Sequence, residues 1–291
     1  MRKIFGSALS SSSKNSTNLE KIAVITNYSA CPLGQSLLKV LSQDYRVVAI
    51  SYDDKTNDDI NQNNEKTSNI IRFKAHLSEQ DDRNRLIAFL KSENMVISRM
   101  VNNQPFMIRP TPLEKQIEEE KLGLRDHQAA NQRVEELKEK IRILIETPLF
   151  LNGDLIDQNV IDDEARILQI IQKQYGIFSL QRASQVNLRK CLKANLEQKM
   201  IGISALTPGL YSPQQVEYMR IDKSNGKDQN DTKHESDIEY LNPDVIAIKT
   251  YEKLLGKNAV DLKEYVMKTE WDAYADLNLG KAPKIYSDVN L

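Results

Sequence analysis

The sequence predicts an α/β protein, a doubly wound parallel sheet in a single domain with polar loop insertions. The chain has 291 residues, of which 40% are apolar, enough to fill the core of one large domain. Short apolar runs alternate with amphipathic helical patterns, the order that a parallel sheet with right-handed crossovers requires. The run at 45–51 is continuously apolar over its centre, which is typical of a strand buried on both faces.

The predicted elements follow the chain largely in alternation. Residues 22–26 predict the first strand, and a turn at 27–34 leads into a helix whose leucines share one face. Residues 45–51 predict the second strand and complete a βαβ unit. The remaining strands are predicted at 70–75, 95–101, 166–171 and 201–206, and the remaining helices at 83–91, 113–144, 183–196 and 243–255.

Composition divides the chain into three parts. Residues 1–20 form a leader or a flexible tail, residues 21–256 form the domain, and residues 257–291 form a C-terminal extension. Within the domain, two stretches near 53–68 and 222–237 are strongly polar and have no apolar periodicity. They predict solvated loops inserted between elements of the sheet.

The first nineteen residues have the composition of a cleavable mitochondrial presequence. They contain basic residues and a serine cluster, and the first acid of the chain is Glu20. Mitochondrial import is therefore one interpretation, and a flexible tail on a cytoplasmic protein is the other. The fold does not depend on the choice, because the first predicted strand begins directly after this segment.

Charge and residue usage exclude several classes of function. The formal net charge is −1, and no apolar run reaches the roughly 18 to 20 residues that cross a bilayer. We therefore predict a soluble protein with no nucleic-acid partner and no membrane span. The three histidines are far apart and none lies near a glycine-flanked serine, which argues against a metal site and a Ser-His-Asp triad. Cys31 and Cys191 cannot make a disulfide framework and fit a reducing compartment or simple burial.

Two fragments resemble the short-chain dehydrogenase/reductase family. ISRMVNNQ at 97–104 is similar to the family's fourth strand and its Asn-Asn-Ala-Gly ending. ISALTPGLYS at 203–212 is similar to the sixth strand and the Pro-Gly turn beside the nicotinamide. Both fragments lie at the carboxyl end of a predicted strand, where such folds bind ligands. The resemblance extends over about 22–255 and implies a Rossmann-like, NAD(P)-binding fold of the oxidoreductase type.

The resemblance implies a cofactor site at the carboxyl ends of the first, fourth and sixth strands. The implied positions are Asn27, Gly34, Asn102, Asn103, Pro208 and Gly209. The turn after the first strand departs from the family's glycine-rich pattern and retains Gly34 alone of the expected glycines. Tyr28 and Pro32 bring bulk and a missing N–H to a place where the backbone must approach a pyrophosphate. We therefore expect no cofactor, or NAD(P) bound weakly, with the choice between NAD and NADP left open.

The family's catalytic Tyr-x-x-x-Lys is substituted as well. The matching positions hold Phe178, which has no proton to give, and Arg182, whose delocalised guanidinium does not replace a lysine ammonium. Tyr175 and Tyr211 are the possible substitute acids. The segment 172–176 is too short to hold the serine that the family places before its tyrosine.

Two functions of different classes follow. The first is a degenerate, non-catalytic member of the family, a pseudoenzyme that serves as a binding or assembly module. The alternative is an active NAD(P)-dependent oxidoreductase with rearranged catalytic residues. Losing a general acid costs about 10²- to 10⁴-fold in rate, and the phosphate cradle is altered too, which favours the first. As partners we expect a second copy of this chain or another protein, engaged by the helices predicted at 113–144 and 183–196.

Overall fold

The computed structural model describes residues 19–52, 69–103, 134–135, 138–139, 141–171, 201–208, 240–256, 259 and 264–266. In these residues the strands are β1 (Glu20–Thr26), β2 (Val47–Ser51), β3 (Ile70–Lys74), β4 (Met95–Asn102), β5 (Ile161–Ile170), β6 (Gly202–Thr207) and β7 (Glu264–Val266). The α-helices are α1 (Pro32–Asp44), α2 (Gln80–Ser92), α3 (Thr147–Asp157) and α4 (Pro243–Thr250). A 3₁₀ turn at Tyr28–Ala30 precedes α1, and π-helical turns at Arg142–Glu146 and Tyr251–Leu255 adjoin α3 and α4.

The seven strands form one sheet in the order β3-β2-β1-β4-β5-β6-β7, and every neighbouring pair is parallel. The chain moves outwards from β1 to β3 and then returns to the other side of β1. The predicted doubly wound parallel sheet is therefore confirmed. The change of direction between β1 and β4 opens a crevice at their carboxyl ends, where sheets of this kind bind ligands.

The core lies on both faces of the sheet. In β1, Ile22 and Val24 pack on the face that α2 and α3 cover, while Ala23 and Ile25 pack on the face that α1 and α4 cover. All five residues of β2 are buried, as expected of a strand covered on both sides. This double burial explains why the strands read as continuous apolar runs in the sequence.

An ion pair between a buried arginine and a half-buried aspartate joins α2 to α3. Arg83 Nε donates to Asp154 Oδ2 at 2.6 Å, and Arg83 Nη1 donates to the carbonyls of Leu77 and Ser78 at 3.1 Å each. The guanidinium thus ties the segment after β3 to a helix that is distant in sequence. Removal of the carboxylate would leave a charge buried without its partner.

The first helix begins earlier than the sequence pattern predicts. The predicted turn at 27–34 is shortened because α1 starts at Pro32, whose preset φ suits the first helical position. Cys31 caps the helix, with its Sγ accepting a hydrogen bond from the Gly34 N–H at 3.4 Å. The helix predicted at 243–255 is observed as α4 together with its π-helical turn.

The predicted helix at 113–144 ends too early, because helical structure continues beyond residue 144. Residues 134, 135, 138, 139 and 141 are helical, and the chain continues through the π-helical turn into α3. The sequence analysis did not predict α3. Pro148 lies in the first turn of this helix, where a missing N–H is harmless. Val134 is 49% exposed whereas Leu144 is buried. Val134 and Leu144 therefore do not lie on one buried face.

The sheet extends further than the predicted elements in two places. β5 begins at Ile161 rather than 166, and its polar start is held by Asp162, which receives a hydrogen bond from Lys21 Nζ at 2.6 Å. β7 lies within the segment 257–291 and pairs with β6, so the sheet continues beyond residue 256. Predictions for residues 1–18, 53–68, 183–196 and 222–237 fall outside the described residues.

Candidate functional site

The candidate site is the carboxyl edge of the sheet around β1 and β4. Thr26 ends β1 and is followed by Asn27, while Asn102 ends β4 and is followed by Asn103. Four polar residues therefore meet at the point where the strand order reverses. Three of them are positions that the family resemblance implies for a cofactor.

The backbone turns sharply after β1. Asn27 has a φ of 47°, in the left-handed region that asparagine tolerates better than most residues, and its carbonyl accepts from the Ala30 N–H at 3.1 Å. The turn directs the Tyr28 ring into the core, where it is 1% exposed and lies in the same cluster as Leu33 and Leu37. The expectation that Tyr28 brings bulk to the crevice is therefore wrong, because the ring packs inside the protein.

Gly34 lies in the first turn of α1 rather than in a loop. A Cβ at this position would lie 2.5 Å from the Tyr28 carbonyl oxygen and 2.6 Å from Asn103 Nδ2. Both distances are shorter than any real Cβ contact, so only glycine allows α1 to pass this close to the turn and to the end of β4. The nearest neighbours of Gly34 are thus groups of the protein itself.

Asn103 binds the end of β4 to the turn after β1. Its Nδ2 donates to the Asn27 carbonyl at 2.8 Å, and Asn27 Nδ2 donates to the Asn103 carbonyl at 3.2 Å. The Asn103 N–H donates to Thr26 Oγ1 at 3.0 Å. Asn103 is fully buried and Asn27 is half-buried, so these bonds are largely shielded from solvent. The floor of the crevice is therefore closed by hydrogen bonds within the protein.

One backbone donor at the start of α1 is used within the protein. The N–H groups of the N-cap residue and of the first three helical residues ordinarily have no partner within the helix, which is why helix N-termini bind anions. Here Pro32 has no N–H, and the Gly34 N–H donates to Cys31 Sγ at 3.4 Å. The Gln35 N–H makes the first ordinary bond of the helix, to the Cys31 carbonyl at 3.4 Å, and is not one of these donors.

Polar and aromatic side chains also meet at the carboxyl ends of β2 and β3. The rings of Tyr52 and His76 are in edge contact with centroids 4.4 Å apart, and Tyr52 is 62% exposed. The Ser29 and Ser51 hydroxyls share a hydrogen bond at 3.2 Å. The His76 N–H donates to Asp82 Oδ2 at 2.6 Å, which fixes the segment after β3. The sequence places Tyr52 and His76 after two strands, but their contact depends on the pairing of β2 with β3.

Asn102 leaves the sheet on the opposite side from Asn103. Its Nδ2 donates to Asn152 Oδ1 at 3.3 Å, so it faces α3 rather than the turn after β1. The predicted pair of cofactor residues is thus divided between the two faces of the sheet. Asn152 is fully buried and was missed by sequence reasoning, since the helix that carries it was not predicted.

Several predicted site residues lie away from this cluster or outside the described residues. Pro208 directly follows β6, which is separated from β4 by β5, and it is buried. The predicted positions outside the described residues are Tyr175, Phe178, Arg182, Gly209 and Tyr211. Their roles stay predictions from the family resemblance.

The described residues contain no group of three His, Cys, Asp or Glu side chains that could hold a metal ion. Among the helices formed by these same residues, none has the length and apolar character needed to cross a bilayer.

Comparison with known proteins identifies the fold. No protein-family model matches the chain, and no curated protein sequence matches it. Among solved structures, a short-chain dehydrogenase/reductase (glucose/ribitol dehydrogenase) from Brucella melitensis is 12% identical, with a TM-score of 0.59 over 86% of this chain and 96% of that chain. A variant of actinorhodin polyketide ketoreductase solved with NADPH is 14% identical, with a TM-score of 0.61 over 86% of this chain and 95% of that chain.

A third solved structure, 3-ketoacyl-(acyl-carrier-protein) reductase from Brucella melitensis complexed with NADH, is 17% identical. Its TM-score is 0.61 over 87% of this chain and 99% of that chain. At these identities the likeness concerns the fold. The chain has the Rossmann-like fold of the short-chain dehydrogenases/reductases, as the two sequence fragments predicted.

Proposed function

We propose that this protein is a non-catalytic member of the short-chain dehydrogenase/reductase type, which uses the fold as a binding or assembly module. One observation carries the proposal, namely that the first turn of α1 has no N–H at Pro32 and directs the Gly34 N–H to Cys31 Sγ. A nucleotide diphosphate is held at a helix N-terminus by the N–H groups of this first turn. We therefore infer that NAD(P) binds weakly or not at all.

The closed floor of the crevice supports the same proposal. Asn27 and Asn103 exchange two hydrogen bonds across it, and Gly34 packs against groups on both sides. A ligand that separated these groups would leave buried polar atoms unpaired, at about 1–3 kcal/mol for each. Part of any binding free energy would be lost in this way.

The alternative is an active NAD(P)-dependent oxidoreductase in which Tyr175 or Tyr211 replaces the missing acid. Two observations favour it. Asn27 adopts the left-handed conformation that a glycine would adopt in a tight phosphate-binding turn. Two of the solved structures with this fold were determined with NADPH or NADH.

Thermal melting with cofactor separates the two functions. A ligand present at 100 times its dissociation constant stabilises a fold by about 2.7 kcal/mol, which is a readily measured shift in Tm. We expect no shift with NADH or NADPH at millimolar concentration. A clear shift in the wild-type protein would instead support the oxidoreductase.

Cys31→Gly tests the observation that carries the proposal. The variant removes the sulfur acceptor and frees the Gly34 N–H. Because Cys31 also packs in the core, thermal melting first establishes that the variant is folded. We expect the variant to gain affinity for pyrophosphate or NADPH relative to wild type. Cys191→Ser is the matched control, because it removes a thiol and leaves the cap in place. Equal and negligible binding by all three proteins would show that the cap is not what prevents binding.

Turnover provides an independent measurement. We expect no oxidation or reduction of a panel of alcohols and carbonyls with either nicotinamide cofactor, and none after Phe178→Tyr combined with Arg182→Lys. The double variant does not restore the missing serine-bearing segment or the glycine-rich turn. A wild-type rate of order 1 s⁻¹ would overturn the non-catalytic proposal.

A binding or assembly module requires a partner, which we propose to be a second copy or another protein. Leu149 and Phe150 on α3 are exposed apolar side chains, as is Val134 nearby in the chain. We expect light scattering to give a mass above one subunit, and Leu149→Glu to lower it without loss of fold. A monomer at micromolar concentration that also captures no protein from a native lysate would contradict this role.

A further inference from the structure

Three carboxamide side chains are buried together at the carboxyl ends of β4 and β5. Asn102 and Gln169 are register partners in these neighbouring parallel strands, so their side chains leave the sheet on the same face. Asn152 reaches the same place from α3, where its Oδ1 accepts from Asn102 Nδ2 at 3.3 Å. Each of the three residues is at most 3% exposed.

The three amides do not satisfy one another. Asn102 Oδ1, Asn152 Nδ2 and Gln169 Nε2 are enclosed and have no hydrogen-bond partner among the protein groups. An unpaired polar atom in a protein interior is costly because its interaction with water is lost without replacement. Three such atoms on residues in contact or in register therefore point to a group outside the protein chain.

Exchanging the amide oxygen and nitrogen of Asn102 and Asn152 does not pair their unpaired atoms. Exchanging oxygen and nitrogen on both Asn102 and Asn152 reverses the bond between them and again leaves one oxygen and one nitrogen unpaired. Exchanging only one of the two places like atoms against each other. With the three side chains in the positions observed, a partner common to the unpaired atoms must both accept and donate hydrogen bonds.

The unpaired atoms define what this partner is. They comprise two N–H donor groups and one carbonyl acceptor. A metal ion needs several oxygen ligands and would find only one here, beside two N–H donors that it cannot bind. An ammonium ion has no acceptor, so it could not accept a hydrogen bond from either amide nitrogen. Water accepts two hydrogen bonds and donates two, and it is small enough to be enclosed by atoms that have no exposure. We propose that Asn102, Asn152 and Gln169 form a binding site for one internal water molecule.

This water joins α3 to the sheet where apolar contact gives way to polar groups. Leu151 and Leu155 pack α3 on the apolar core of the same face, whereas Asn152 lies at the carboxyl end of β4. A bridging water fixes the position of the helix by directional bonds, while apolar packing alone tolerates small displacements. The site therefore helps to position α3.

A high-resolution crystal structure of the full-length protein tests the site directly. We expect density for one water within about 2.7–3.2 Å of all three unpaired atoms. Water oxygen relaxation dispersion should detect this molecule in solution as a long-lived internal water. The combined change Asn102→Leu with Asn152→Leu should reduce the number of long-lived waters by one.

Ile203→Val is the matched control, because it trims a buried apolar residue on the same face and should leave the water count unchanged. The proposal is overturned if the wild-type density shows the amides paired with protein groups, or shows a different molecule between them. It is also overturned if the double variant folds and keeps the full number of long-lived waters. Since the wild-type density decides by itself, failure of the variant to fold leaves the test intact.

Discussion

Asn102 and Asn103 follow one another at the end of β4 and leave the sheet on opposite sides. The Asn103 amide and backbone are hydrogen-bonded to Thr26 and Asn27, whereas Asn102 makes a single bond to Asn152 and keeps an unpaired oxygen. Adjacent residues of the same type thus have different tasks, because successive side chains along a strand point to opposite faces. One residue closes the crevice and the other anchors α3.

Truncation to alanine should give the largest difference in free energy of unfolding between the two asparagines. We expect Asn103→Ala to lower the free energy of unfolding by about 2–4 kcal/mol, because it removes the bond to the Asn27 carbonyl and leaves a cavity beside α1 in place of a fully buried side chain. Asn102→Ala should cost about 1–2 kcal/mol, because it breaks one long hydrogen bond and leaves the buried Asn152 Oδ1 without that donor. Chemical denaturation of both variants provides the measurement. Equal losses would mean that the bonds closing the crevice contribute no more than the Asn102 contact.

Substitution of two glycines by alanine compares the packing beside the crevice with the packing of α3. Gly34→Ala places a Cβ against the Tyr28 carbonyl and Asn103, and overpacking of this kind costs about 1–3 kcal/mol. A Cβ at Gly153 in α3 meets nothing within 4 Å, so Gly153→Ala should be neutral or stabilising by up to about 1 kcal/mol. Thermal melting of the matched pair decides the point. A Gly34→Ala protein as stable as wild type would show that α1 can move away from the crevice.

The smallest expected effect lies at the other end of the strands. Burial by itself raises the pKa of Asp162, but hydrogen bonds from Lys21 and the Glu164 N–H, together with the Lys21 charge, lower it below its usual value. A lowered pKa stabilises the fold above the unfolded value near 4 and loses this contribution as the pH falls through the folded value. The Lys21 side chain is 59% exposed, so screening limits the gain to a few tenths of a kcal/mol.

We therefore expect Asp162→Asn to be slightly less stable than wild type at pH 7 and equally stable near pH 2. Denaturation at both pH values measures the difference. Glu93→Gln, at an exposed carboxylate after α2, is the control and should show no such convergence. A wild-type advantage that persisted in acid would mean that the ion pair is not its source.

The position of the candidate site at the carboxyl edge of the sheet could be predicted before any contact was known. The fragments at 97–104 and 203–212 place polar residues after buried strands, and parallel strands end at a common edge. The nature of the edge could not be predicted. Tyr28 follows β1 in a loop-like sequence, and only the left-handed turn at Asn27 shows that its ring enters the core.

Local patterns in the sequence were sufficient to predict the layered α/β architecture. Apolar runs such as that of β2 are buried on both faces, and this requirement leaves a characteristic signal in any strand of a parallel sheet. It also determined that Asn102 and Asn103 lie at the carboxyl end of a strand. Both properties depend on local periodicity, which is encoded within a few residues.

The contacts that those residues make follow from how the elements pack. The bond that the Gly34 N–H makes depends on the rotation of Cys31, and the closed crevice depends on the register between β1 and β4. Asn152 became part of the site because a helix interrupted by a π-helical turn carries it to Asn102. Hydrogen bonds between residues 50 or more positions apart depend on how the elements pack, and no local pattern of the sequence records that packing.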